Sequence, residues 1–259
     1  MLCPTSKHKV ITVREIAEEL KSLPLPFDPR GRKPRFDRHK AAALCVAKAW
    51  WNLSFAEALR LSALAFGEAP PEATLRRYWR CLAGWAEEAA RRLAGPGELL
   101  VVDSTGAPTY YRGPGFRLHF VYDIERGMPL AVEVTEPGVA DAAAAKRLAA
   151  KLAGGRGVVL ADSAYFGRPV FEAFARAGYL LVAKPRRPPR GGGRRGFARK
   201  LEALFEAFRG LYRRRGEGER MASVWKARTR RSLFYRTLAS AAAHASWLVL
   251  GIVLHRLAA

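Results

Sequence analysis

The sequence predicts an α/β fold, a mixed five-stranded sheet with helices on its faces, preceded by an all-helical N-terminal region. Three observations carry this. In the first third, apolar residues recur at helical spacing and Ala, Leu, Arg and Glu dominate. After the glycines at 95 and 97 come short β-type runs in the order β-β-β-α-β-α-β. That order implies an antiparallel hairpin set extended by parallel crossovers. Residues 238–254, finally, are apolar enough to read as a buried C-terminal helix.

Taken in order, helices are expected over 13–23, 37–51, 55–66 and 71–94. Ser54 is a suitable N-cap for the third, and Glu57 completes a capping-box pattern. That short helix, the turn at 67–71 and residues 74–82 look like a helix-turn-helix arrangement. Thr74, Arg76, Arg77, Tyr78 and Arg80 then face a groove or a phosphate backbone. A plain helical bundle with a solvated basic face fits the same spacing equally well. Strands follow at 98–102, 118–124 and 129–134, the last two joined by Glu125-Arg126-Gly127 as a hairpin. A helix over 141–152 starts at Asp141 as its cap. Then come a buried strand at 157–160, a helix at 169–177 and a strand at 179–183. Residues 185–196 form a basic Arg/Gly/Pro-rich loop, equally a solvated loop or a clamp whose arginines displace cations condensed on phosphates. Another helix is expected over 197–208. Composition divides the chain into regions 1–95 and 96–259.

The 259 residues include 45 Lys+Arg against 23 Asp+Glu, a net charge of +22. This points to a polyanionic partner, nucleic acid ahead of an anionic membrane surface. A hydrophobic share of 49% excludes a disordered basic tail, which could not offset its ordering entropy. Cys3, Cys45 and Cys81 make no Cys-x-x-Cys pair and the histidines no ligand pattern, which argues against structural zinc. Residues 1–5 carry no apolar run of leader type, so a reducing, cytoplasmic setting is expected. Within 238–254 only 247–254 is uninterruptedly apolar, far short of the roughly 20 residues a membrane span needs.

Asp103 closes the run LLVVD and Asp162 the run VVLAD. A hydrophobic strand ending in Asp brings a carboxylate to the sheet edge, where open α/β sheets carry their sites. Singly, each reads as well as a turn or helix cap. Read as a helix, 212–226 sets Tyr212, Arg215, Glu219 and Lys226 on one narrow stripe, with Glu217 facing away. An ordinary solvated face with an Arg215–Glu219 ion pair is the alternative. Gly216 and Gly218 weaken such a helix.

The pattern Tyr212-x₂-Arg215-x₃-Glu219-x₆-Lys226 resembles the tyrosine–arginine–glutamate–lysine signature of prokaryotic insertion-sequence transposases of the DDE type. VVDSTG and the following RLHFVYDIERGMPLAVEV resemble that family's first acidic strand and hairpin. LADSAYFG with YLLVAKPR resembles its second acidic block, although Ser163-Ala164 stand where Lys-Gly is frequent. The resemblance covers about residues 98–254, with a weaker helical match over 37–85.

It implies a ribonuclease H-like catalytic domain over 96–259, with Asp103, Asp162 and Glu219 as catalytic residues. These acids would hold two Mg²⁺ ions, with Mn²⁺ as substitute. Oxygen ligands suit such hard ions, and two of them serve in-line phosphodiester chemistry. Without ions, three close carboxylates would raise at least one pKa. No covalent nucleophile is needed, and none is assigned to Ser104 or Ser163. Arg215 and Lys226 would bind phosphates, Tyr212 would contact the element end, and Lys184 is a further phosphate contact. In the helical region Arg76, Arg77 and Arg80 are the DNA-binding residues. The implied activity is cleavage at element ends and joining of the freed 3′-hydroxyl to target DNA. Its partners are double-stranded DNA (terminal inverted repeats and target) and further copies of the chain, a homodimer or higher on paired ends. A nucleoid-associated cytoplasmic location follows. Two other readings stay open: an element-derived DNA-binding protein without cleavage, and a nuclease of the same fold without strand transfer.

Overall fold

The computed structural model describes residues 11–26, 35–107, 115–152, 154–186, 196–228, 235 and 237–259. Residues 1–5 and most of the basic loop (187–195) lie outside the described residues.

Three of the N-terminal helices start where the sequence reading places them. Helix α1 (Val13–Leu20) opens on a capping box between Thr12 and Glu15. Asp37 accepts from the Lys40 N–H at the start of α2 (Arg38–Trp50). The Ser54–Glu57 capping box forms at α3 (Phe55–Phe66), which stops at Gly67 with φ 72°, a left-handed conformation that glycine adopts without a Cβ penalty. One expectation changes: the long helix over 71–94 is two helices, α4 (Glu72–Cys81) and α5 (Ala83–Ala94), meeting at Leu82. Leu82 is buried, and so are Leu75 and Trp79 on one side and Ala86, Ala89 and Ala90 on the other. A break there lets two apolar faces of different direction reach one core.

The sheet runs β3-β2-β1-β4-β5. It comprises β1 (Leu99–Ala107), β2 (Phe116–Asp123), β3 (Met128–Thr135), β4 (Gly157–Ala161) and β5 (Tyr179–Ala183). The first three strands are antiparallel neighbours, and β4 and β5 continue in parallel from β1. Helices α6 (Asp141–Lys151) and α7 (Arg168–Arg176) supply the crossovers. This is the α/β, ribonuclease H-like arrangement with a helical N-terminal region that the sequence predicts. Strand β1 is longer than expected, because beyond Val102 it continues to Ala107 paired with β2 alone. Asp141 is not a cap: Ala140 holds that position, and no side chain caps α6.

Neighbouring residues of β1 show which helices cover which face, since successive side chains of a strand point oppositely. Ser104 bonds to Asp141 of α6, whereas Asp103 bonds to Arg215, which lies between α9 (Arg209–Tyr212) and α10 (Glu219–Arg228). Helix α8 (Gly196–Ala207) precedes α9. On edge strand β3 the Val132 N–H donates to buried Glu87 of α5 and its carbonyl accepts from Lys151. An edge so occupied offers no template for a foreign strand.

The last helix, α11 (Leu238–Leu257), holds the two halves together. It packs on α5 and α2 and also on β3. Its 18-residue apolar window is long and apolar enough to cross a membrane, but 72% of it is buried inside the protein. Trp247 at its centre is fully buried, donates its indole N–H to the Trp79 carbonyl (2.9 Å) and stacks on the Trp79 ring at 6.5 Å. Trp247→Ala is expected to cost about 3–5 kcal/mol of folding stability, read as a lower urea midpoint at unchanged slope.

Candidate active site

The site begins where two strands part. The parallel pairing of β1 with β4 ends at Val102↔Ala161, and the next residues are Asp103 and Asp162. Adjacent strands lie about 4.8 Å apart, so the two aspartates stand side by side at the carboxyl ends. β1 then follows β2, while the chain after β4 turns away into a 3₁₀ turn, Ser163–Tyr165. Asp162 caps that turn, accepting from the Ala164 N–H at 2.8 Å. Arg186 fastens it from behind through the carbonyls of Ser163 (2.8 Å) and Ala164 (2.9 Å).

Asp103 is largely enclosed. Burial raises its pKa, Asp162 adds to the rise, and the Ser104 N–H and Arg215 pull against it. The Arg215 guanidinium meets its carboxylate at 3.0 Å. Burial likewise raises the Tyr212 pKa; Arg215 opposes the rise, while Asp162 and Asp103 reinforce it. Asp103, Asp162, Tyr212 and Arg215 therefore share one electrostatic site.

Glu219 stands differently. Residues 212–226 are not one α-helix, because the stretch Arg213–Gly218 winds as 3₁₀ between α9 and α10. At three residues per turn, Arg215 and Gly218 stay in line with Tyr212, and Glu219 swings about 100° away from them. Gly218 is buried against β1, where an added Cβ would come 2.6 Å from Val101 Cγ1. The expected single stripe is thus replaced by a Tyr212–Arg215–Gly218 line facing β1, with Glu219 exposed at the start of α10 and Lys226 exposed further along. The alternative Arg215–Glu219 ion pair does not form; Arg215 takes Asp103 instead.

Among the described residues no group of three His, Cys, Asp or Glu side chains stands close enough to hold a metal ion. The two aspartates supply hard oxygen donors of the kind Mg²⁺ accepts. Lys184 is exposed beside them, its N–H donating to the Ala161 carbonyl at 3.1 Å.

In the helical region, Arg77 and Arg80 are exposed and Thr74 is half-buried on α4. Arg76 pairs with Glu72 at 2.5 Å and stacks on Phe55 at 4.3 Å. Tyr78 does not face a groove: it is buried, because it lies three residues after Leu75 on the same apolar side of the helix.

Sequence reasoning missed a second polar cluster behind Asp103. Asp141 accepts from Ser104 Oγ (3.1 Å) and Arg117 (3.0 Å). It also lies 3.3 Å from Nδ1 of buried His119, off the hydrogen-bond direction. His119 bonds through Nε2 with Thr135 at 3.0 Å, and burial lowers its pKa to about 4. The signal was present: Arg117 and His119 alternate with Leu118 and Phe120, so one face of β2 is polar, and His119 sits opposite Ser104. Asp141→Ala removes the carboxylate that Ser104 and Arg117 both donate to, leaving Arg117 its bonds to Ser104 Oγ, and is expected to cost about 2 kcal/mol of stability, measured by chemical denaturation. Asp141→Asn, which keeps an acceptor oxygen, should recover part of it.

No curated protein matches the chain. The sequence profile described as "Transposase DDE domain" matches residues 94–254, a span holding the whole sheet, both strand-end aspartates, Arg215 and Glu219. That span is more than half of the protein, and the chain belongs to the transposase DDE domain family, a family of DNA-transposition enzymes that work with divalent metal ions.

Proposed function

We propose that this protein cuts DNA at the ends of a mobile element and joins the freed 3′-hydroxyl to target DNA, with Asp103, Asp162 and Glu219 as its catalytic acids. The observation that carries the reading is the side-by-side placement of Asp103 and Asp162 where β1 and β4 diverge, inside the span of the family match. Glu219 is the third acid on sequence grounds. It directly follows the residue that packs on Val101, and its carboxylate pairs with no other described residue.

The acids would hold two Mg²⁺ ions, which in such sites activate a water or 3′-hydroxyl and stabilise the leaving oxygen. The remaining work falls to the protein's own groups. Arg215 neutralises Asp103 in the free protein, limiting repulsion between two neighbouring carboxylates. A scissile phosphate offers the same guanidinium a second acceptor. Lys184 and Lys226 are exposed point charges that suit flanking phosphates, and Tyr212 beside Arg215 suits the element end. On α4, Arg76, Arg77 and Arg80 contact duplex DNA. Paired ends call for at least a homodimer. One observation favours a second reading, a DNA-binding protein of this family that does not cleave: Glu219 stands outside the acid pair.

Cleavage separates the two. With Mg²⁺ and the DNA flanking the coding region as substrate, Asp103→Asn, Asp162→Asn and Glu219→Gln should each cut more than about a hundredfold slower, beyond the loss of an outer-shell partner. DNA affinity should stay within about threefold of wild type. Nicking retained by Glu219→Gln removes that residue from the site, and no nicking by the wild type favours the binder.

Because a charge of +22 implies many phosphate contacts, duplex affinity should fall by about a hundredfold or more between about 50 and 200 mM salt. Anisotropy titrations at several salt concentrations give the slope.

A further inference from the structure

A cleft of about 710 Å³ opens between α2, the start of α3, α4 and Tyr235, built on elements the acid site does not use. Its walls combine three rings (Phe55, Trp79, Tyr235) with three cations (Lys48, Arg76, Arg80). Glu57 also lines it but is engaged in the α3 capping box. The volume lies in the roughly 300–1,000 Å³ range of small-ligand sites.

Lys48 is the unusual member. It is only 4% exposed, and a buried lysine is rare unless paired. Its ammonium lies 4.6 Å from the ring centres of both Phe55 and Trp79 and 5.3 Å from that of Tyr235. It donates to the Leu53 carbonyl (2.7 Å) and to the Tyr235 hydroxyl (3.0 Å), two uses for three N–H groups. No carboxylate pairs with it within ion-pair distance among the described residues. The Tyr235 hydroxyl in turn meets His244 Nδ1 at 3.2 Å. Trp79, 1% exposed, has an indole N–H with no acceptor among the described residues. Arg76 is shared with Glu72, but Arg80 at the exposed rim is not.

A ligand matched to these walls brings an anion for Lys48 and Arg80 and a flat ring for the aromatic and guanidinium planes. Nucleotides have both. In a duplex the base faces are covered by stacking, so only an unpaired nucleotide presents them.

We propose that this cleft binds an unpaired nucleotide of a DNA strand, with its base against the half-buried Tyr235 ring and its phosphate on Arg80 at the exposed rim, in the field of the buried Lys48. The proposal rests on the reading of the protein as acting on DNA, and adds a single-strand site to it.

The test is fluorescence anisotropy of the full chain in EDTA, where no cleavage intervenes. A labelled single-stranded oligothymidylate is compared with a labelled duplex. Tyr235→Ala should weaken single-strand binding about tenfold, within the range for losing one base–aromatic stack, and change duplex binding less than about twofold. Tyr235→Phe, which keeps the ring, should bind single strands like wild type. Should Tyr235→Ala fail to fold, Tyr235→Leu, which fills the space without an aromatic face, reads the same preference, losing more single-strand than duplex affinity. Thymidine monophosphate should compete better than inorganic phosphate. Equal losses on both DNAs, no loss on either, or equal competition by phosphate overturns the cleft. A monophosphate that binds as tightly as the oligonucleotide overturns the strand assignment in favour of free nucleotides. Duplex binding that is absent or insensitive to salt is instead a failure of the DNA reading itself.

Discussion

Two carboxylates stand next to each other because two parallel strands run together up to Val102 and Ala161 and then separate. Everything else at the site answers to that placement. Neighbouring negative charges at a partly enclosed sheet edge repel, and burial raises the cost of ionising Asp103. Three devices offset this: the Ser104 N–H on Asp103, the Ala164 N–H on Asp162, and Arg215 on Asp103. Each uses a group that the chain must bring to the same end of the sheet. The turn after β4 is therefore tight and clamped by Arg186, while β1 is prolonged by pairing with β2.

Arg215 reaches Asp103 only because the segment carrying it lies almost on the sheet. Gly218 provides that approach, since any side chain there would run into Val101. The 3₁₀ winding from Arg213 to Gly218 lines Tyr212, Arg215 and Gly218 along one edge. Exposure of Glu219 is the geometric consequence, as the first α-helical residue leaves the line its predecessors follow. Polar residues on the opposite face of β1 form a separate layer, in which Asp141 holds Ser104 and Arg117. The strand that carries Asp103 is thus braced from both faces.

The helical N-terminal region is not an appendage in packing terms. Trp247 of α11 and Trp79 of α4 stack and share a hydrogen bond, and α11 also lies on β3. The apolar surface of the last helix is what joins the first helices to the sheet. This is why a segment with the composition of a membrane span is mostly buried inside the protein.

Local chemistry was legible in the chain itself. Capping residues Ser54 and Glu57, the apolar runs ending at Asp103 and Asp162, and the hairpin around Gly127 each rest on interactions within a few residues. They therefore determine helix starts, the β2–β3 hairpin and which acids reach the sheet edge. Periodicity failed where partners from distant segments intervened. Leu82 broke a long helix so that two apolar faces could reach one core, and the contact of Gly218 with Val101 belongs to a 3₁₀ stretch rather than the regular helix that spacing suggests. Asp141 read as a cap because its neighbours alone were visible, whereas its partners Arg117 and Ser104 come from β2 and β1. The tertiary structure decided those points, because a side chain's direction follows the surface it must cover, and that surface comes from elsewhere in the chain.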